Sequence, residues 1–181
     1  MQSAIPSKSK SGAVIHQISL DNLSREGFKT IFNQINQFGI KKQVDKVGVD
    51  RFIKQCARLA AGSGIISGSG GAFTMLVGIP LDVFNTILQQ FRVTLGVIYH
   101  YKGTYEIGFD EFMLIVANSL RVEAGVAITK AMLESIAEKL MIKLGSKLAG
   151  RLVPVIGGAI GGTANYLFIK GIGESVRKIQ F

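Results

Sequence analysis

The chain has 181 residues, mean hydropathy +0.34, 48% hydrophobic residues and a formal net charge of +9. That length can bury the core of one domain, and the hydropathy is high for a chain with no apolar surface to cover. A single cysteine, Cys56, excludes an intrachain disulfide and a cysteine-based zinc site, which suits a reducing, cytoplasmic compartment.

The charge is uneven. Residues 1–58 hold ten Lys/Arg against four Asp/Glu, residues 59–135 four against six, and residues 136–181 seven against two. Basic ends around an apolar middle suit an anionic membrane surface or an acidic partner better than an evenly wrapped nucleic acid, which is disfavoured.

Residues 1–20 read as a mobile, Ser/Lys-rich basic arm without the apolar core of a secretory signal, and residues 21–181 as one helical domain. From Ser24 to Phe38 the apolar residues Phe28, Ile31, Phe32, Ile35 and Phe38 recur at helical spacing, and Gly39 stops the helix. A second helix is predicted from about Asp45 to Ala61, burying Val49, Phe52, Ile53, Cys56 and Leu59 or Ala60.

Leu59 to Leu81 is an uncharged run of 23 residues with six glycines and three serines. Its length fits a spanning helix, its weak apolarity a helical hairpin in a membrane interface, and its lack of charge a buried core helix. Gly64 and Gly68 within it, like Gly157 with Gly161 and Gly158 with Gly162 in the run Leu152–Ile169, stand four apart on one helix face. A missing side chain there lets another backbone approach.

Pro80 and Asp82 fit the first turn of a helix, where a carboxylate meets the positive end of the dipole. That helix runs through Phe84, Ile87, Leu88, Phe91, Leu95 and Ile98 to about Tyr101, and Gly103 ends it; the stripe is ordinary core packing. Asp110 is predicted to cap a segment reaching Leu120, Glu123–Arg151 to form one or two helices, and Pro154 to precede a last helix ending near Ile179. With no hairpin signals and no alternating runs, the class is all-α: a compact multi-helix bundle with two glycine-rich, tightly packed segments.

Lys139, Lys143, Lys147 and Arg151 form an i, i+4 row beside Leu140, Leu144 and Leu148, the pattern of an interfacial helix that meets phosphates, and equally of a solvated bundle face. Catalytic motifs are scarce. Cys56 lies on an apolar stripe, where a thiol paired with His100 is disfavoured as a nucleophile. The carboxylates show no metal-ligand spacing, Gly68–Gly71 is no phosphate loop, and no metal or cofactor is expected.

Gly78-Ile79-Pro80-Leu81-Asp82, followed by Gln90, Arg92 and Tyr101-Lys102-Gly103, resembles the bacterial EcsC family. So does the later run carrying Pro154, Gly157, Gly158, Gly161 and Asn165. The likeness spans about residues 45–181. It implies a helical, often membrane-associated protein, named after one encoded beside an ABC transporter linked to secretion, with no catalytic residues to carry over.

The expectation is therefore a peripheral module at the inner face of the cell membrane, with an anionic membrane surface or a membrane-protein partner and with self-association allowed. The alternatives are a hydrolase built around Asp82 or His100, and a pore-forming or membrane-inserting effector that uses the glycine-rich helices.

Overall fold

In the computed structural model, the described residues are 25–35, 39–62, 81–123, 129–145 and 157–181, with side-chain surroundings for all of these except 81–82, 141–145 and 157–161. They form seven helices and no strand: α1 (Arg25–Ile35), α2 (Ile40–Val47), α3 (Val49–Ala61), α4 (Leu81–Lys102), α5 (Phe109–Ser119), α6 (Lys130–Gly145) and α7 (Gly157–Arg177). The class is all-α, with helices packed on helices.

The helix at the centre is α4, which packs against each of the other six, while α3, α4 and α7 form the tightest group. Its sequence allows this because from Val83 to Tyr99 the only ionised side chain is Arg92. Phe84, Ile87, Leu88, Phe91, Leu95 and Ile98 are buried as the periodicity predicts, but so are Val83, Val93 and Val97 outside that stripe. A helix buried all round belongs in the middle of a bundle. Gly103 ends it in the left-handed region (φ 71°), its N–H donating to the Tyr99 carbonyl at 2.9 Å.

Helix α1 docks through rings. Phe28 stacks on Phe91 with centroids 6.0 Å apart, Phe32 meets Phe112 at 4.8 Å and Phe109 at 5.7 Å, and Phe91 meets Phe112 edge-on at 4.9 Å. Such pairs contribute ~0.5–1.5 kcal/mol each beyond the area they bury. Phe28, Ile31 and Ile35 are fully enclosed.

Two boundaries depart from the sequence reading. The helix predicted from Asp45 begins at Ile40 and breaks at Gly48, whose φ of 78° and ψ of 157° only glycine adopts without strain. The apolar rhythm passes from Val44 across the break to Val49 and Phe52, and so conceals it. The predicted end at Ala61 is where α3 stops, with Gly62 extended (φ −85°, ψ 149°), and residues 63–80 of the uncharged run lie outside the described residues. Asp110 does not cap α5: Gly108 holds the N-cap position, and Asp110, in the first turn, pairs with Arg25. The arm at 1–20 lies outside the described residues. Among those described, no helix is long and apolar enough to cross a membrane.

Candidate functional site

The basic row on α6 is the first sequence-derived candidate, and Lys139 is not left to solvent. Its ammonium donates to the carbonyl of Arg121 and, at 3.5 Å, to that of Leu120. These belong to the end of α5, where Arg121 is left-handed (φ 56°). The Arg121 N–H donates to Asn118 O at 3.0 Å and the Val122 N–H to Ala117 O at 2.9 Å. That is a Schellman closure with arginine where glycine is usual, and the lysine adds a cation at the negative helix end. Lys139 therefore ties α6 to α5. The side chain of Lys143, and all of Lys147 and Arg151, lie outside the described set. Arg121→Gly is expected to raise stability by ~1 kcal/mol by relieving the left-handed arginine, and Lys139→Met to lower it by ~0.5–1.5 kcal/mol through the lost hydrogen bonds. Thermal melts of the two variants check both signs.

Among the glycines whose surroundings are described, Gly162 has the closest backbone neighbour. A Cβ there would stand 2.8 Å from the carbonyl oxygen of Ala61, so α7 approaches the end of α3 backbone to backbone. Gly157, Gly158 and Gly161 lie in the first turns of α7, and Gly64 and Gly68 outside the described residues. Two further close-contact glycines carry no signal at four-residue spacing. A Cβ on Gly96 of α4 would reach 2.4 Å from the Phe52 ring, and one on Gly173 of α7 would reach 3.0 Å from Ile53. All three press on α3.

Of the residues behind the family resemblance, Asp82 is the second residue of α4, while Pro80 and Pro154 lie outside the description. Tyr101 is exposed at the end of α4. Asn165 is buried on α7, and its Nδ2 donates to the carbonyl of Ala60 at 3.1 Å. On α4, Asn85 Nδ2 donates to the carbonyl of Leu59 at 2.8 Å, and the Gly62 N–H closes on Arg58 O at 3.0 Å. The last carbonyls of α3 thus find partners on three sides instead of in water, as a helix end inside a bundle requires.

The Asn85 bond is one end of a longer chain. Gln89 Nε2 donates to Asn85 Oδ1 at 3.1 Å, and the Arg92 guanidinium donates to Gln89 Oε1 at 2.9 Å and to Gln43 Oε1 of α2 at 2.8 Å. From the guanidinium through two amides to the negative end of α3, every donor points the same way, so each bond polarises the next. Arg92 is only 3% exposed and also lies over the Phe52 ring, 5.7 Å from its centroid. Gln90, fully buried on another side of α4, has no hydrogen-bond partner for either amide atom among the described residues. Asn85, Gln89 and Arg92 stand at i, i+4 and i+7, a polar line that the sequence displays but that hydropathy assigns to the outside of an amphipathic helix.

Compared with models of known families, with curated proteins and with solved structures, the chain matches none. The likeness to EcsC proteins therefore rests on its motif residues alone.

The described residues offer little for catalysis. Cys56 is fully buried, and burial pushes its thiol up to about 11 against the opposing charge of Arg92, so it is a poor nucleophile. His100 is exposed beside Tyr101. No group of three or more metal-ligating side chains occurs among the described residues.

What the outer surface does offer is charge. Lys41, Lys42 and Lys46 on α2 and Arg51, Lys54 and Arg58 on α3 are all exposed. The two acids among them are engaged elsewhere: Asp45 accepts a hydrogen bond from the Tyr99 hydroxyl at 2.7 Å, and Asp50 is bonded to Arg177. Arg51, Lys54 and Arg58, at i, i+3 and i+7, share one face of α3. In the sequence this segment is as basic as the α6 row, but Asp50 interrupts the four-residue series of Lys42, Lys46, Lys54 and Arg58.

Proposed function

We propose that the chain is an EcsC-like helical module that binds anionic membrane surfaces peripherally, presenting the outer faces of α2 and α3 to phospholipid headgroups. The observation that carries this reading is the set of six exposed cations whose two neighbouring acids are bonded to Tyr99 and Arg177. A cation held against an anionic bilayer contributes ~1 kcal/mol and is screened within a Debye length of about 10 Å at 0.1 M salt. Several on one surface hold a protein there at low salt and release it at high salt.

The test is sedimentation with phosphatidylglycerol vesicles. Reversing Lys46, Lys54 and Arg58 to Glu is expected to weaken binding by about a hundredfold or more, since three lost contacts of ~1 kcal/mol amount to two powers of ten. Wild-type binding should fall as salt rises, and phosphatidylcholine vesicles should leave the protein in the supernatant. Equal binding by wild type and triple variant at low salt would remove this face from the account. Retention on nucleic acid with the same salt dependence, and none on vesicles, would reassign its partner.

A further inference from the structure

Among the described residues only four large hydrophobic side chains are exposed, Leu59, Tyr101, Leu167 and Phe181, and two of them touch. Tyr101, 54% exposed, and Phe181, 42% exposed, stack with ring centroids 6.1 Å apart and planes at 24°, and the His100 ring meets Tyr101 edge-on at 5.0 Å. Single exposed apolar residues call for no explanation, but a pair of rings stacked on one another in water leaves a continuous apolar patch.

The patch adjoins the basic face. Arg177, four residues before Phe181, is bonded to Asp50 in the first turn of α3 and ion-paired with Glu174 at 3.7 Å. The Asp50 carboxyl is held below its ordinary value by the Arg177 hydrogen bond and charge, with a smaller contribution from Lys54. Exposed Lys178 follows Arg177, and Lys102, beside Tyr101, is ion-paired with Glu111 at 3.5 Å. Rings with a polar edge, rimmed by long cationic side chains, match the headgroup layer of a bilayer: the rings enter the acyl boundary and the cations stay with the phosphates.

We propose that Tyr101 and Phe181 form an aromatic anchor that inserts into the interface of an anionic bilayer once the α2–α3 face has brought the protein to it. This rests on the membrane-surface reading above. It adds a salt-resistant component to an otherwise screened attachment, because burying rings does not depend on ionic strength.

The chain contains no tryptophan, so Tyr101→Trp supplies a single tryptophan of similar shape. With vesicles of equimolar phosphatidylcholine and phosphatidylglycerol, its emission is expected to shift to the blue and to be quenched by lipids brominated on the acyl chains. A reference variant, Ala131→Trp at an exposed position on α6, should show neither effect. In parallel, the double variant Tyr101→Ala/Phe181→Ala should bind at low salt within a few-fold of wild type but lose most of the fraction that survives a high-salt wash.

Sedimentation of the Tyr101→Trp variant with the vesicles but without a blue shift would overturn the anchor and leave the electrostatic reading standing. Failure to sediment at all would overturn both. A blue shift that grows with protein concentration in the absence of lipid would show the stack to be a contact between copies of the chain, and would overturn the lipid assignment.

Discussion

Alanine in place of Gly96 is expected to destabilise the protein by ~2–3 kcal/mol, although alanine is the better helix former by about 1 kcal/mol. Its Cβ would stand 2.4 Å from Cε1 and 2.8 Å from Cδ1 of Phe52, distances that real Cβ atoms do not show. The ring has little room to yield: Phe52 is fully buried and has the Arg92 guanidinium over its face. Two further glycine variants locate the cause. Gly162→Ala meets the Ala61 carbonyl oxygen at 2.8 Å, a backbone atom that moves only if α3 moves, and should also destabilise. Gly171→Ala, on the exposed side of α7 with nothing within 4 Å, should stabilise by ~0.5–1 kcal/mol from propensity alone. Combining Gly96→Ala with Phe52→Leu should cost less than the sum of the two singles, because the smaller side chain makes the space that the methyl needs. Denaturant titrations of the five variants read all of this directly. A Gly96→Ala variant as stable as wild type would show that α3 and α4 can separate without loss.

The sequence showed which residues of α1, α3 and α4 face inward, since 3.6-residue periodicity reports that directly. Phe28, Ile31, Phe32, Phe52, Ile53, Cys56, Phe91 and Leu95 are all buried as their spacing predicts. What periodicity cannot report is a second buried face. Around the rest of α4, outside the apolar stripe, stand Thr86, Gln89, Gln90, Arg92 and Thr94, polar residues that hydropathy assigns to solvent, yet each is enclosed. Only helices distant in sequence decide that, through Gln43 of α2 as a partner for Arg92 and through α7 on the flank. The sequence marked Asn165 without giving its work, because a carbonyl 105 residues away becomes a partner only once α3 and α7 are side by side. The contact that Lys139 makes was hidden for a related reason. A basic residue at regular spacing reads as a surface charge until the end of another helix is brought within its reach.

Replacing Arg92 by methionine is expected to cost ~2–4 kcal/mol, a large share of the 5–15 kcal/mol that holds a domain together. The side chain is buried, and methionine fills much of its length without its donors. Gln89 Oε1 then loses its donor inside the bundle, which costs ~1–3 kcal/mol, and the charge-assisted character of the bond is lost with it. Gln43, only half buried, can turn its oxygen to water and loses less. Arg92→Lys keeps the charge, but a single ammonium lacks the planar fork that reaches Gln89 and Gln43 together, so it should recover only part of the loss. The informative measurement is a double-mutant cycle between Arg92→Met and Asn85→Ala. In the hydrogen bonds that join α4 to the end of α3 they are separated by Gln89, so simple pairwise bonding predicts additivity. Aligned donors predict a coupling of about 0.5 kcal/mol or more, because the guanidinium strengthens each amide bond down to the carbonyl of Leu59. Additive losses would reduce the chain to three independent hydrogen bonds. Coupled losses would mean that the position of α3, and with it the basic face that α3 presents, is set in part by one buried charge two helical turns away on α4.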